Sequence, residues 1–245
     1  MAVSATVFSA GSVTALSGAQ SDRVSAALRR PAERLAQEAE STRVKLSAFG
    51  QAQSATAAVQ TASRTLQDAR QISSAADARK AAETFAQAFN AERAALASAS
   101  GNGAAGAAAV PEGARASIGA SQLERVVADN ATAFRDAGIR VQQDGSLTVD
   151  AKALEAAYAT NPSAVTQALG AVGRAAEATA TRQLGSNGSI GAAVNNLNTR
   201  LQQLETRQEN VRVRADESQR AVEASARRYG FGAVGAGAYL GIFGL

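Results

Sequence analysis

Ile190-Gly-Ala-Ala-Val194-Asn-Asn-Leu197-Asn-Thr-Arg-Leu201-Gln-Gln-Leu204-Glu-Thr-Arg-Gln208-Glu-Asn-Val211 decides the fold class. Its stripe residues alternate by four and three, and the spacing continues through Ala215, Ser218, Val222 and Ser225. An average step of 3.5 keeps one narrow seam of an α-helix facing one partner, which is the heptad of a coiled coil. At 1.5 Å per residue, about forty residues make a rod of roughly 60 Å. Asp216–Arg220 and Glu223–Arg227 form acid-first i, i+4 pairs outside the seam. Toward the C-terminus the seam weakens to Gln208, Ala215 and Ser218.

Such a rod needs an apolar partner, and the other end of the chain supplies one. Leu28, Ala32, Leu35, Ala39, Thr42, Leu46 and Phe49 follow the same alternation, after Ser21 or Asp22 as the cap. Pro31 lies inside this stripe, so the helix either starts near it or kinks there. After Gly50 a stripe resumes at Ala55, Val59, Ala62, Leu66, Ala69 and Ile72. A further helix runs from about Ala75 to Ala97, with Phe85 and Phe89 on one face as core residues. The expected seam residues are Leu28, Leu35 and Leu46 on the N-terminal side, against Ile190, Val194, Leu197, Leu201, Leu204 and Val211. They serve packing within the chain or between chains.

Between the two seams the pattern changes twice. Residues 98–119 hold a Gly/Ala/Ser run and Val110-Pro-Glu-Gly113, and read as a linker. A short helix is expected from Gln122 to about Asp136. Ile139-Arg-Val141 and Leu147-Thr-Val149 then alternate with period two around Asp144-Gly145, a β-hairpin. Asp150 caps the helix that carries Leu154 and Tyr158, Asn161-Pro162 opens the next, and Gly185-Ser-Asn-Gly188 breaks it. The expected fold is mainly α: a long antiparallel coiled coil of N- and C-terminal helices, with a small α+β head containing one β-hairpin. Its segments are a flexible arm (1–21), N-terminal heptad helices (22–97), the linker (98–119), the head (120–184), the C-terminal coiled-coil helix (185–228) and an apolar Gly-rich tail (229–245).

Composition agrees with helix-on-helix packing. Hydrophobic residues make up 46% of the 245, but aromatics only 4%. Alanine fills the gap at about a quarter of the chain, and it is the best helix former while burying little area each. The chain has no Cys, His or Trp. Disulfides, Cys or His metal sites and imidazole or thiolate catalysis are therefore excluded. The net charge of +4 comes almost wholly from arginines interleaved with acids, without the basic stripe of a nucleic-acid binder. No stretch is long and apolar enough for a spanning helix, and no positive n-region of a secretory signal precedes Asp22.

Residues that could carry chemistry have plainer readings. Gly101-x-Gly103-x-x-Gly106 and Gly230-x-Gly232-x-x-Gly235 spell the dinucleotide fingerprint. Both follow helices, whereas the fingerprint works between a strand and a helix. Asp144 makes a turn and Asp150 a cap in preference to forming a catalytic pair. No catalytic, cofactor-binding or metal-binding residue is assigned. Tyr229 to Leu245 carries no charge, and Phe231, Tyr239, Leu240 and Phe243 are expected to dock against neighbouring subunits.

The order of these pieces resembles one family. Arg30-Pro-Ala-Glu-Arg-Leu35 through Lys45-Leu-Ser-Ala-Phe-Gly50, then Phe85-Ala-Gln-Ala-Phe89-Asn90, are similar to it in the N-terminal part. Ala137-Gly-Ile139, Asp144-Gly-Ser-Leu-Thr-Val-Asp150, Asn161-Pro-Ser-Ala-Val165, the 185–188 break and the final rod follow. Together they resemble the flagellar filament-capping, or hook-associated protein 2, family over most of residues 20–228. The resemblance implies a secreted structural protein at the distal end of the bacterial flagellum. Such a protein is exported through the flagellar channel and promotes flagellin polymerisation through coiled-coil contacts. The implied partners are further copies of itself, flagellin or other axial proteins, and an export chaperone, with no nucleic acid and no membrane span. Family members are usually longer, with β-rich outer lobes that this chain lacks. That departure keeps another axial filament or junction subunit open. An intracellular helical adaptor or export chaperone is the reading from a different class.

Overall fold

The computed structural model describes the backbone over residues 10–101 and 111–242, and side-chain surroundings over 29–101, 113–221, 223 and 224. Seven helices and one hairpin follow in order among the described residues. They are α1 (Ala10–Gln67), α2 (Ala75–Gly101), α3 (Pro111–Asp129), α4 (Ala131–Asp136), β1 (Ile139–Val141), β2 (Leu147–Val149), α5 (Ala151–Thr160), α6 (Pro162–Leu184) and α7 (Ser189–Ile242). The chain is mainly α with a small β-hairpin. It divides into two compact units, one of residues 1–41 and 201–245, the other of residues 42–200.

Several helix boundaries differ from the sequence reading. The arm expected over 1–21 is helical from Ala10, while 1–9 lie outside the described residues. Once a long helix exists, each added residue gains a hydrogen bond without a new nucleation cost, and this outweighs Gly11 and Gly18. Pro31 lies inside α1, so the helix does not start there. Gly50 likewise does not interrupt it. The linker expected over 98–119 is helical at both ends, since α2 runs through Gly101 and α3 begins at Pro111, proline occupying a first-turn position. Residues 102–110 lie outside the described residues. The short helix expected from Gln122 is therefore the second half of α3, followed by the separate α4.

Local signals place the other ends. Ser74 and Asp77 form a reciprocal cap at the start of α2. The Asp77 backbone N–H donates to Ser74 Oγ at 3.1 Å, and the hydroxyls of Ser73 and Ser74 both donate to Asp77 Oδ2 at 2.8 Å. Those hydroxyls hold the Asp77 carboxyl below its ordinary range. Asp150 Oδ1 accepts from the Ala153 N–H at 3.0 Å, and Asn161 Oδ1 from the Ala164 N–H at 3.0 Å, which caps α5 and α6.

The larger unit has one main core. Phe85 of α2 meets both Phe89 of the same helix and Phe134 of α4, with ring centroids 6.0 Å (Phe85–Phe89) and 6.3 Å (Phe85–Phe134) apart. Val59 and Leu66 of α1, Ile139 and Leu147 of the hairpin, Leu154 of α5 and Leu169 of α6 close around them. Helix α6 lies tight on α1: a Cβ at Gly173 would come within 2.5 Å of the Ser63 carbonyl oxygen, so only glycine permits this approach. Beside it, Glu177 accepts from Arg64 Nε at 2.7 Å and from Gln67 Nε2 at 2.6 Å, and Gln60 Nε2 donates to Thr181 Oγ1 at 2.9 Å.

Candidate functional site

Two features of the molecule can carry function: a hairpin held against α2, and the heptad seam. In the hairpin, Ile139 pairs with Val149 and Val141 with Leu147. The loop closes through Gln142 N–H to Ser146 O at 2.8 Å and Gly145 N–H to Gln142 O at 2.9 Å, with Gly145 left-handed at φ +79°. Gly138 enters β1 at φ +67°, and a Cβ there would come within 2.7 Å of Leu154 Cβ, so both backbone and packing require glycine.

Asn90 of α2 docks this hairpin as if it were a neighbouring strand. Its Oδ1 accepts from the Leu147 N–H at 2.8 Å, and its Nδ2 donates to the Leu147 carbonyl at 2.9 Å. One turn on, Arg93 Nη2 donates to the Asp144 carbonyl. A two-stranded hairpin alone is marginal in water, so these contacts and the buried Ile139 and Leu147 hold it in place.

The two carboxylates of the hairpin do structural work. Asp144 Oδ1 accepts from Ser146 N–H at 2.9 Å and Ser146 Oγ at 2.7 Å, which holds its carboxyl below the ordinary range. Asp150 is held down first by the Ala153 N–H and then by Arg140, which it meets at 2.5 Å. They are the turn-maker and the helix cap that the sequence suggests.

The seam of α7 has a regular burial pattern. Ile190, Leu197 and Leu204 are buried, and Val194, Leu201, Gln208, Val211, Ala215 and Ser218 are half-buried. From Asn195 to Glu217 every residue between them is exposed. In the larger unit, Leu197 joins Ala48 and Phe49 of α1, Ala99 of α2 and Ala116 of α3, with Leu46 and Val194 packed on the group. Ile190 meets Ala52 and Leu96. In the smaller unit, Ala39 of α1 and Leu204 of α7 are buried, while Leu35, Leu201 and Val211 are half-buried. Ala32 is exposed. The side chains of Leu28, Phe231, Tyr239 and Leu240, and the whole of Phe243, lie outside the described residues. The backbone of the tail is helical through Ile242.

Sequence reasoning missed two residues of α2. Nothing local marks Asn90 as a strand mimic. Glu92 was legible: the spacing Ala78, Ala82, Phe85, Phe89 continues to Glu92, Leu96 and Ala99, and all seven are buried. Thr56 Oγ1 lies 3.0 Å from Glu92 Oε1 and 2.9 Å from the Ala52 carbonyl, while Oε2 has no partner among the described residues. Burial pushes the Glu92 carboxyl up to about 7, against a smaller opposing pull from Thr56.

The family model for the flagellar hook-associated protein 2 C-terminus matches residues 77–227, more than half of the chain. The match takes in the Asn90 clamp, the hairpin, and α7 as far as its last described seam residue. No curated protein and no solved structure matches.

Proposed function

This chain belongs to the flagellar hook-associated protein 2 family, and on that premise we propose that it acts as a filament-cap-like structural protein. It assembles with copies of itself at the distal end of the flagellum and promotes flagellin polymerisation through its coiled-coil helices. The carrying observation is that the family match includes both the hairpin head and the heptad rod. The graded α7 seam supports the reading. Apolar Ile190 and Leu197 are covered within the larger unit, whereas Val211, Ala215 and Ser218 stay half-open and small enough for a neighbouring helix to approach. The arm (1–21) serves as the export signal, and Phe231, Tyr239, Leu240 and Phe243 dock into adjacent subunits.

Immunogold labelling of intact cells with antibody to the purified chain tests this. Gold should sit at distal filament ends, and cells lacking the chain should release unpolymerised flagellin into the medium. Label confined to the cytoplasm would favour an adaptor or export chaperone. Label along the filament or at its base would make the chain an axial or junction subunit.

A further inference from the structure

We propose that an open groove between α3 and the α6–α7 junction docks an acidic, apolar peptide segment of a partner protein. The groove has a volume of about 540 Å³, within the range of ligand-binding clefts. Arg115, Ile118 and Gln122 of α3 line one side, and Arg182 of α6 with the turn 185–189 lines the other.

Two observations select the occupant. The first is charge. The lining contains two guanidinium groups and no carboxylate, and neither arginine forms an ion pair among the described residues. Arg182 Nη2 donates to Thr179 Oγ1 at 2.9 Å, which steadies the guanidinium and leaves its other N–H donors for a carboxylate.

The second is apolar surface. Ile118 is 53% exposed, the most of any large hydrophobic side chain among the described residues. An apolar side chain of the ligand would cover it.

A peptide brings carboxylates for the arginines and an apolar side chain for Ile118. A nucleic acid fits less well, because the lining offers no aromatic face for a base. The turn is already held by Gly188 N–H to Gly185 O at 2.8 Å and Ala192 N–H to Gly188 O at 3.0 Å, so little ordering is needed on binding. The inference does not depend on the flagellar reading.

The test pans a display library of random linear peptides against the full-length chain and synthesises the recovered consensus. The consensus should place Asp or Glu beside Leu, Ile or Phe. Its binding should weaken with salt and fall about tenfold or more in Arg115→Gln/Arg182→Gln and in Ile118→Ser. The exposed pair Arg135→Gln/Arg200→Gln should bind as the parent does. These side chains are at or near the surface, and circular dichroism of each variant verifies that the helices persist. Recovery of no peptide above background, a consensus without acidic residues, or undiminished binding to the groove variants would overturn the proposal. So would a single-stranded oligonucleotide that binds and is lost in the same variants.

Discussion

Replacing Glu92 with Gln should make the protein more stable at neutral and alkaline pH and leave it nearly unchanged below the ordinary carboxylate range. Glu92 is 1% exposed, and its carboxyl is raised from the ordinary 4.5 to about 7. The folded state therefore holds the proton more tightly than the unfolded chain. The stability contributed is complete below the unfolded value and is lost as pH rises through the folded one. A difference of roughly 2.5 pH units at 1.36 kcal/mol each amounts to about 3 kcal/mol by pH 8. The hydrogen bonding allows the protonated form. Thr56 has one hydroxyl proton but lies within bonding distance of both the Ala52 carbonyl and Glu92 Oε1. If that proton goes to Ala52, a neutral Glu92 can donate to Thr56 and a carboxylate cannot. Glutamine keeps the shape and removes the titration.

The assay is urea unfolding followed by far-ultraviolet circular dichroism across the pH range, parent against variant. Asp77, Asp144, Asp150 and Glu177 are all held below their ordinary values, so their contributions are lost only as the solution becomes strongly acid, and they cancel in the comparison. The stability difference should open from about pH 4.5, grow up to about pH 7 and level off at about 3 kcal/mol by pH 8. Parallel curves for the two proteins, or a variant less stable than the parent at pH 8, would refute the reasoning.

Leu197→Ala should cost about 2–5 kcal/mol, because Leu197 is buried among Phe49, Ala99 and Ala116, and the half-buried Leu201 should cost less; denaturant midpoints decide. Asn90→Ala should cost about 1–3 kcal/mol by leaving both Leu147 backbone groups unpaired, and hydrogen exchange at Leu147 should quicken more than in α6; unchanged exchange would remove Asn90 from the docking role. Deleting Ala2 to Gln20 should keep the protein inside the cell at the loss of only the first turns of α1, and equal amounts of parent and deletion in the medium would refute the export role of the arm.

Period and punctuation are local properties, and they carry much of this architecture. The four-three alternation from Ile190 reappears, as far as Ser218, as the buried and half-buried stripe of α7. Asp144-Gly145, Asp150, Asn161-Pro162 and the 185–188 break all stand where their chemistry puts them. Each acts on backbone groups within a few residues, so the sequence is enough to read them. Helix extent was less legible. Glycine, serine and alanine read as arm and linker, yet α1, α2 and α3 all continue into such stretches, because a helix already nucleated extends at little cost.

Contacts between distant segments were decided only by the tertiary structure. Asn90 meets Leu147, Thr56 meets Glu92, Gln60 meets Thr181, and Arg115 shares a groove with Arg182. No period links such pairs, since each depends on the angle and height at which two elements pack. A residue as small as Gly173, by letting α6 lie against the Ser63 carbonyl, sets that crossing for every side chain along it.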